Sequence, residues 1–147
     1  MFLPSTRKKA RELLVQALYQ WEVSGSDVSS IELQFMTDNN MDKVDVDFFK
    51  ELLYGIPAKQ DEVDDVYAVY LDRECKSLDF VSKALLRIGS YELSFRIDVP
   101  YKVAINEAVN LAKKFGPTDA YKYINGILDK VAIDKRSLEI KSERSAK

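Results

Sequence analysis

The stretch Thr6–Glu22, TRKKARELLVQALYQWE, constrains this chain more than any other. Ala10, Leu13, Leu14, Ala17, Leu18 and Trp21 recur at three- and four-residue steps, which on a helix makes an apolar stripe about a hundred degrees wide. Such a stripe has to be buried. Everything downstream offers more helices to bury it, because no alternating period-two segment bounded by turn residues occurs. The expected fold is therefore all-α, about seven helices in two small packed bundles.

The helix boundaries follow from capping chemistry. Gly25 suits the left-handed position that ends the first helix. Ser29 and Glu32 form a capping box for a second helix running to Met36. Asp45 caps a third, with Val46, Phe49, Leu52, Leu53 and Ile56 inward, and apolar spacing resumes at Val63 and Tyr67. That resumption predicts one long helix bent at Pro57. Ser77 or Asp79 caps a helix whose apolar residues, Phe80 to Phe95, run too far round its circumference for a surface position, so it reads as the central rod. Pro100 opens the next helix, Phe115-Gly116-Pro117 stops it, and Thr118 caps the last firm one. Asn125-Gly126 within that helix costs about 1 kcal/mol in propensity, which implies a close approach to the central rod. One domain is expected over 1–133, with subdomains of about 1–75 and 76–133 and a mobile charged tail over 134–147.

The first helix begins with Arg7, Lys8, Lys9 and Arg11 and no acid before Glu12. A helix N-terminus carries about half a positive charge, so cations there are misplaced unless an anion joins them. Either a phosphate site or a solvated basic arm answers to the cluster alone. The same polar face continues through Gln16 and Tyr19, an amide and an aromatic platform that suit single-stranded nucleic acid. Removing those four cations from a net charge of −2 leaves the remainder at −6, so binding has to be local rather than a bulk polycation effect. From Asp38 to Asp79 the chain holds twelve acids against five bases, which reads as a solvated face.

Histidine is absent, which removes the commonest general base and most zinc chemistry, and no Gly-rich phosphate loop is present. Cys75 stands alone, fitting a reducing cytoplasm and a half-buried apolar role. Asn106, Glu107 and Asn110 read as packing polars. Neither an enzyme, a cofactor, a metal nor a membrane span is expected.

The strings LLRIGSYEL (Leu85–Leu93), DVPYKVAINEAVNLAKKFG (Asp98–Gly116) and KYINGILDKVA (Lys122–Ala132), with ARELLVQALYQWE and VDVDFFKELLYGI, resemble the NusB family of bacterial antitermination factors in collinear order over residues 5–132. The resemblance implies a two-bundle helical fold without enzymatic activity. It implies binding of boxA single-stranded RNA together with NusE, a small-subunit ribosomal protein, within an RNA polymerase antitermination complex, and it allows a homodimer. It carries RNA contact to Arg7, Lys8, Lys9 and Arg11, to Tyr19, and to Asp119, Lys122 and Tyr123. Two alternatives stand beside it. One is a purely protein-binding helical module. The other is the RNA-binding domain of a ribosomal-RNA methyltransferase, disfavoured because no catalytic sequence follows residue 147.

Overall fold

A computed structural model describes residues 4–72 and 77–145. Among these residues there are eight helices and no strand: α1 (Pro4–Ser24), α2 (Val28–Asp38), α3 (Val46–Ala58), α4 (Gln60–Ala68), α5 (Phe80–Phe95), α6 (Tyr101–Phe115), α7 (Ala120–Lys135) and α8 (Ser137–Ser145). They gather into two compact units that divide between Gln60 and Asp61, ahead of the gap at Cys75–Ser77 where composition suggested a boundary. Cys75 itself lies outside the described residues.

In the first unit α1 packs on α2 and α3, and α2 packs on α3. Ala10, Leu14, Ala17 and Leu18 are buried as the spacing requires, while Leu13 and Trp21 are only half-buried. The buried arc instead widens to take in Arg11 and Val15. Gly25 closes α1 at φ +70, and Asp45 caps α3 by accepting the Phe48 N–H at 3.1 Å. The cap of α2 is Asp27, not Ser29. Its carboxylate accepts the Ser30 N–H and the Ser29 hydroxyl, both at 2.9 Å, and these bonds hold it below the ordinary carboxylate range. Serine is thus consumed as a donor to the stronger acceptor. Between α2 and α3 the Tyr54 hydroxyl donates to Glu32 at 2.7 Å, lowering the glutamate's pKa and raising the tyrosine's.

Pro57 does not bend a continuous rod. It sits in the last turn of α3, and the chain leaves helical geometry at Lys59 before α4 begins at Gln60. A proline there removes one amide donor and crowds the preceding turn, so a stop follows as readily as a kink.

In the second unit α5 is the central rod, buried on nearly every side from Ala84 to Leu93 and packed on α6 and α7, which also pack on each other. Asp79 caps it, accepting the Ser82 N–H at 2.9 Å. Asp64 of α4 is not part of a merely solvated face: it receives Arg87 Nε at 2.9 Å, Arg87 Nη2 at 3.0 Å and the Tyr67 hydroxyl at 2.7 Å. The close helix approach lies at Gly89, where a Cβ would stand 2.7 Å from Leu128 Cδ1. Gly126 faces open space, so the close approach assigned to it is corrected. Asn106 and Asn110 are exposed, and neither packs in the core. Thr118 does not cap α7. Asp119 holds the N-cap place in the left-handed region at φ 68, with no side-chain cap bond.

Residues 137–145, assigned by composition to a mobile tail, form α8 and bury Ile140. Arg136 precedes it, itself buried, with Nε donating to the Leu93 carbonyl at 2.8 Å and Nη2 to those of Glu92 and Arg96 at 3.1 and 2.9 Å. The Glu92 and Arg96 carbonyls also accept backbone N–H groups, those of Arg96 and Val99, each at 3.0 Å, so Arg136 adds a second donor to them. Arg136 also pairs with Glu139, whose other oxygen accepts the Tyr101 N–H at 2.9 Å at the start of α6.

Candidate nucleic-acid interface

In the first unit the candidate site is built on α1, and α3 decides which of its cations are available. Arg7 and Arg11 fall one turn apart, on the side of α1 that meets the start of α3. Arg7 Nε donates to Asp45 Oδ2 at 3.2 Å, and both guanidinium carbons lie 5.0 Å from the centre of the Phe48 ring. Arg11 is 3% exposed. The expectation of four open phosphate ligands is therefore corrected. Arg11 is a packed structural cation and Arg7 is partly neutralised, whereas Lys8 and Lys9 are exposed. With no acid in the first turn of α1, those two lysines keep that end of the helix positive. The counter-ion that sequence reading missed, Asp45, was recognisable there only as a helix cap.

Further along α1, Gln16 is exposed and donates to the Glu12 carbonyl at 3.0 Å. Tyr19 is 44% exposed. Both line a groove of about 460 Å³ between α1 and α2.

In the second unit the expected residues gather at the start of α7. Asp119 and Lys122 are exposed and form an ion pair at 3.6 Å. Tyr123 is half-buried, and its hydroxyl donates to Asp72 at 3.1 Å. Tyr123 and Asp119 also line a cleft of about 330 Å³ with Ser77, Asp79, Ser82 and Thr118. Lys113 and Lys122 lie 4.9 and 5.9 Å from the ring of Tyr121, and Lys114 lies 5.3 Å from that of Phe115. Sequence reading passed over Tyr121. Cation–ring contacts of this kind give a surface that is both basic and flat, fit for phosphate and base.

Among the described residues no cluster of His, Cys, Asp or Glu could hold a metal, and no helix is long and apolar enough to cross a membrane.

A sequence profile described as the NusB family matches residues 8–133. The transcription antitermination protein NusB of Shewanella denitrificans is 51% identical over 128 residues, covering 87% of this chain and 96% of that protein. The chain belongs to the NusB family. The NusB protein of Hahella chejuensis is 47% identical over 141 residues, with 96% and 95% covered. Among solved structures, NusB of T. maritima matches with a TM-score of 0.77 at 30% identity, covering 90% of this chain and 92% of that one. A crystal structure of the antitermination factors NusB and NusE in complex with dsRNA matches with a TM-score of 0.75 at 25% identity, covering 86% and 96%. The all-helical architecture is thus that of NusB proteins.

Proposed function

We propose that this NusB-family chain is a non-enzymatic transcription antitermination factor that binds boxA-type single-stranded RNA together with NusE and acts in the cytoplasm on the RNA polymerase antitermination complex. Its kinship with a NusB that was crystallised with NusE and RNA carries this reading. Lys8 and Lys9 neutralise RNA phosphates at the open end of α1, and Arg7 contributes through whatever charge Asp45 leaves it. Arg11 acts by holding α1 against Phe48. Gln16 and Tyr19 on α1, and Asp119, Lys122 and Tyr123 on α7, contact bases and sugars.

Anisotropy titrations of boxA RNA over a range of salt, with and without NusE, test this. Lys8→Ala and Lys9→Ala should each reduce the salt slope by about 0.7, the single-strand value per phosphate. An unchanged slope in the double variant would remove the phosphate contact. The tethering of Arg7 and Arg11 by Asp45 and Phe48 favours a second reading, a protein-binding module that touches no RNA. In that case NusE would bind and RNA alone would not.

A further inference from the structure

We propose that the groove between α4 and the ends of α5 and α7 is a docking site for a basic segment of a protein partner, one that carries an apolar side chain among its lysines and arginines. The surface is separate from the candidate RNA residues of α7 and does not rest on the RNA-binding reading.

On α4, Val63 and Tyr67 are buried and Asp64 is taken by Arg87. Glu62, Asp65, Val66 and, just past the helix, Val69 recur at three- and four-residue steps on another side, and they line a groove of about 460 Å³. Its opposite wall is Ser94 and Phe95 at the end of α5, with Asp134 and Lys135 at the end of α7. Val69 is 75% exposed. One exposed valine needs no explanation, but here apolar side chains from two elements converge on a single concavity. Charge says what would cover them. Three carboxylates and one ammonium line the groove. The ammonium, Lys135 Nζ, lies 3.7 Å from Asp134 Oδ2, and no ion pair among the described residues holds Glu62 or Asp65. That balance repels a polynucleotide, and an acidic or wholly apolar partner would leave the carboxylates unmatched. A segment with Lys or Arg on either side of a leucine-sized group meets both demands. Its cations face Glu62 and Asp65, and its apolar side chain covers Val66, Val69 and Phe95. The Ser94 hydroxyl has no hydrogen-bond partner among the described residues, so a guest's backbone that reaches it competes with nothing. Lys122 precedes Asp134 by twelve residues on α7, about 18 Å along the helix, which leaves room for both surfaces to be occupied together.

The test titrates the full chain with a fluorescein-labelled synthetic peptide that interleaves lysine, arginine and leucine, and with its counterpart carrying serine for each leucine. At low salt the leucine peptide should bind several-fold tighter, because apolar burial adds to charge. Glu62→Gln combined with Asp65→Asn should weaken it about five-fold or more. Asp42→Asn combined with Asp47→Asn makes the same change of charge at exposed residues elsewhere, and should alter affinity by no more than about two-fold. Val69→Ser, at an exposed position, should weaken the leucine peptide and spare the serine one. Lys135→Ala removes the groove's own cation and should tighten both peptides. The groove is overturned if the two double variants weaken the peptide alike, or if Val69→Ser changes nothing. Displacement of the peptide by NusE or by boxA RNA would also overturn it, since the groove would then belong to those partners. Self-association of the chain that disappears in Val69→Ser would do the same, making the groove a seat for a second copy.

Discussion

Two glycines on neighbouring helices show how much a single residue's surroundings decide. Gly89 and Gly126 both lie inside helices, where glycine costs about 1 kcal/mol against alanine. At Gly89 an added Cβ would stand 2.7 and 2.9 Å from the two terminal carbons of Leu128, and at Gly126 it would meet nothing within 4 Å. Gly89→Ala should therefore destabilise the protein by about 1–3 kcal/mol through overpacking. Gly126→Ala should stabilise it by about 0.5–1 kcal/mol through helix propensity. Urea unfolding midpoints would move in opposite directions, and a shift of both to lower urea would refute the assignment of the close approach. Sequence could register that a helical glycine needs a reason, but not which glycine faces a neighbour. The same limit hid the fate of Arg7 and Arg11. Their charge was legible, while their partners Asp45 and Phe48 lie across a sequence gap that only the fold closes.

At the scale of elements, apolar periodicity carried most of the information. It located α1, α3, α5, α6 and α7 because each buries a stripe that recurs with the helical period. It failed at α8, where Ile140 is the one buried residue and attachment is polar. Arg136 anchors that helix by serving three carbonyls at the end of α5, while Glu139 serves an N–H at the start of α6 and Lys102 pairs with Glu143. Arg136→Met keeps the apolar stem but removes three charge-assisted bonds, leaving the Glu92 and Arg96 carbonyls only the N–H groups of Arg96 and Val99. The expected cost is about 2–4 kcal/mol, with faster hydrogen exchange over residues 137–145 and at the end of α5. Glu139→Gln can still accept the Tyr101 N–H, so it should cost less. If the two variants were equally stable to heat and urea, α8 would not be held by this network. Charge runs look solvated in sequence, and only the backbone groups that a charge reaches in the fold distinguish an anchor from a tail.

For the molecule as a whole, charge is partitioned rather than abundant. A net −2 coexists with an acid-free start to α1. A chain of this balance repels polynucleotide at long range and binds it only where local cations and shape permit. Asp61, Glu62 and Asp65 of α4 are exposed and contribute to the repulsion. Replacing them with Asn, Gln and Asn moves the net charge from −2 to +1 without touching a buried group. Affinity for random-sequence RNA should rise several-fold at low ionic strength, and the gain should fade as salt shortens the Debye length below about 10 Å. Affinity for boxA RNA should gain no more than that, so the ratio between specific and random sequence stays level or falls. Parallel titrations of the two RNAs over a salt series measure that ratio. A triple variant whose random-RNA affinity at low salt matched the parent would show that the acidic surface has no part in selectivity. The discrimination would then belong to the contacts of α1 and α7 alone.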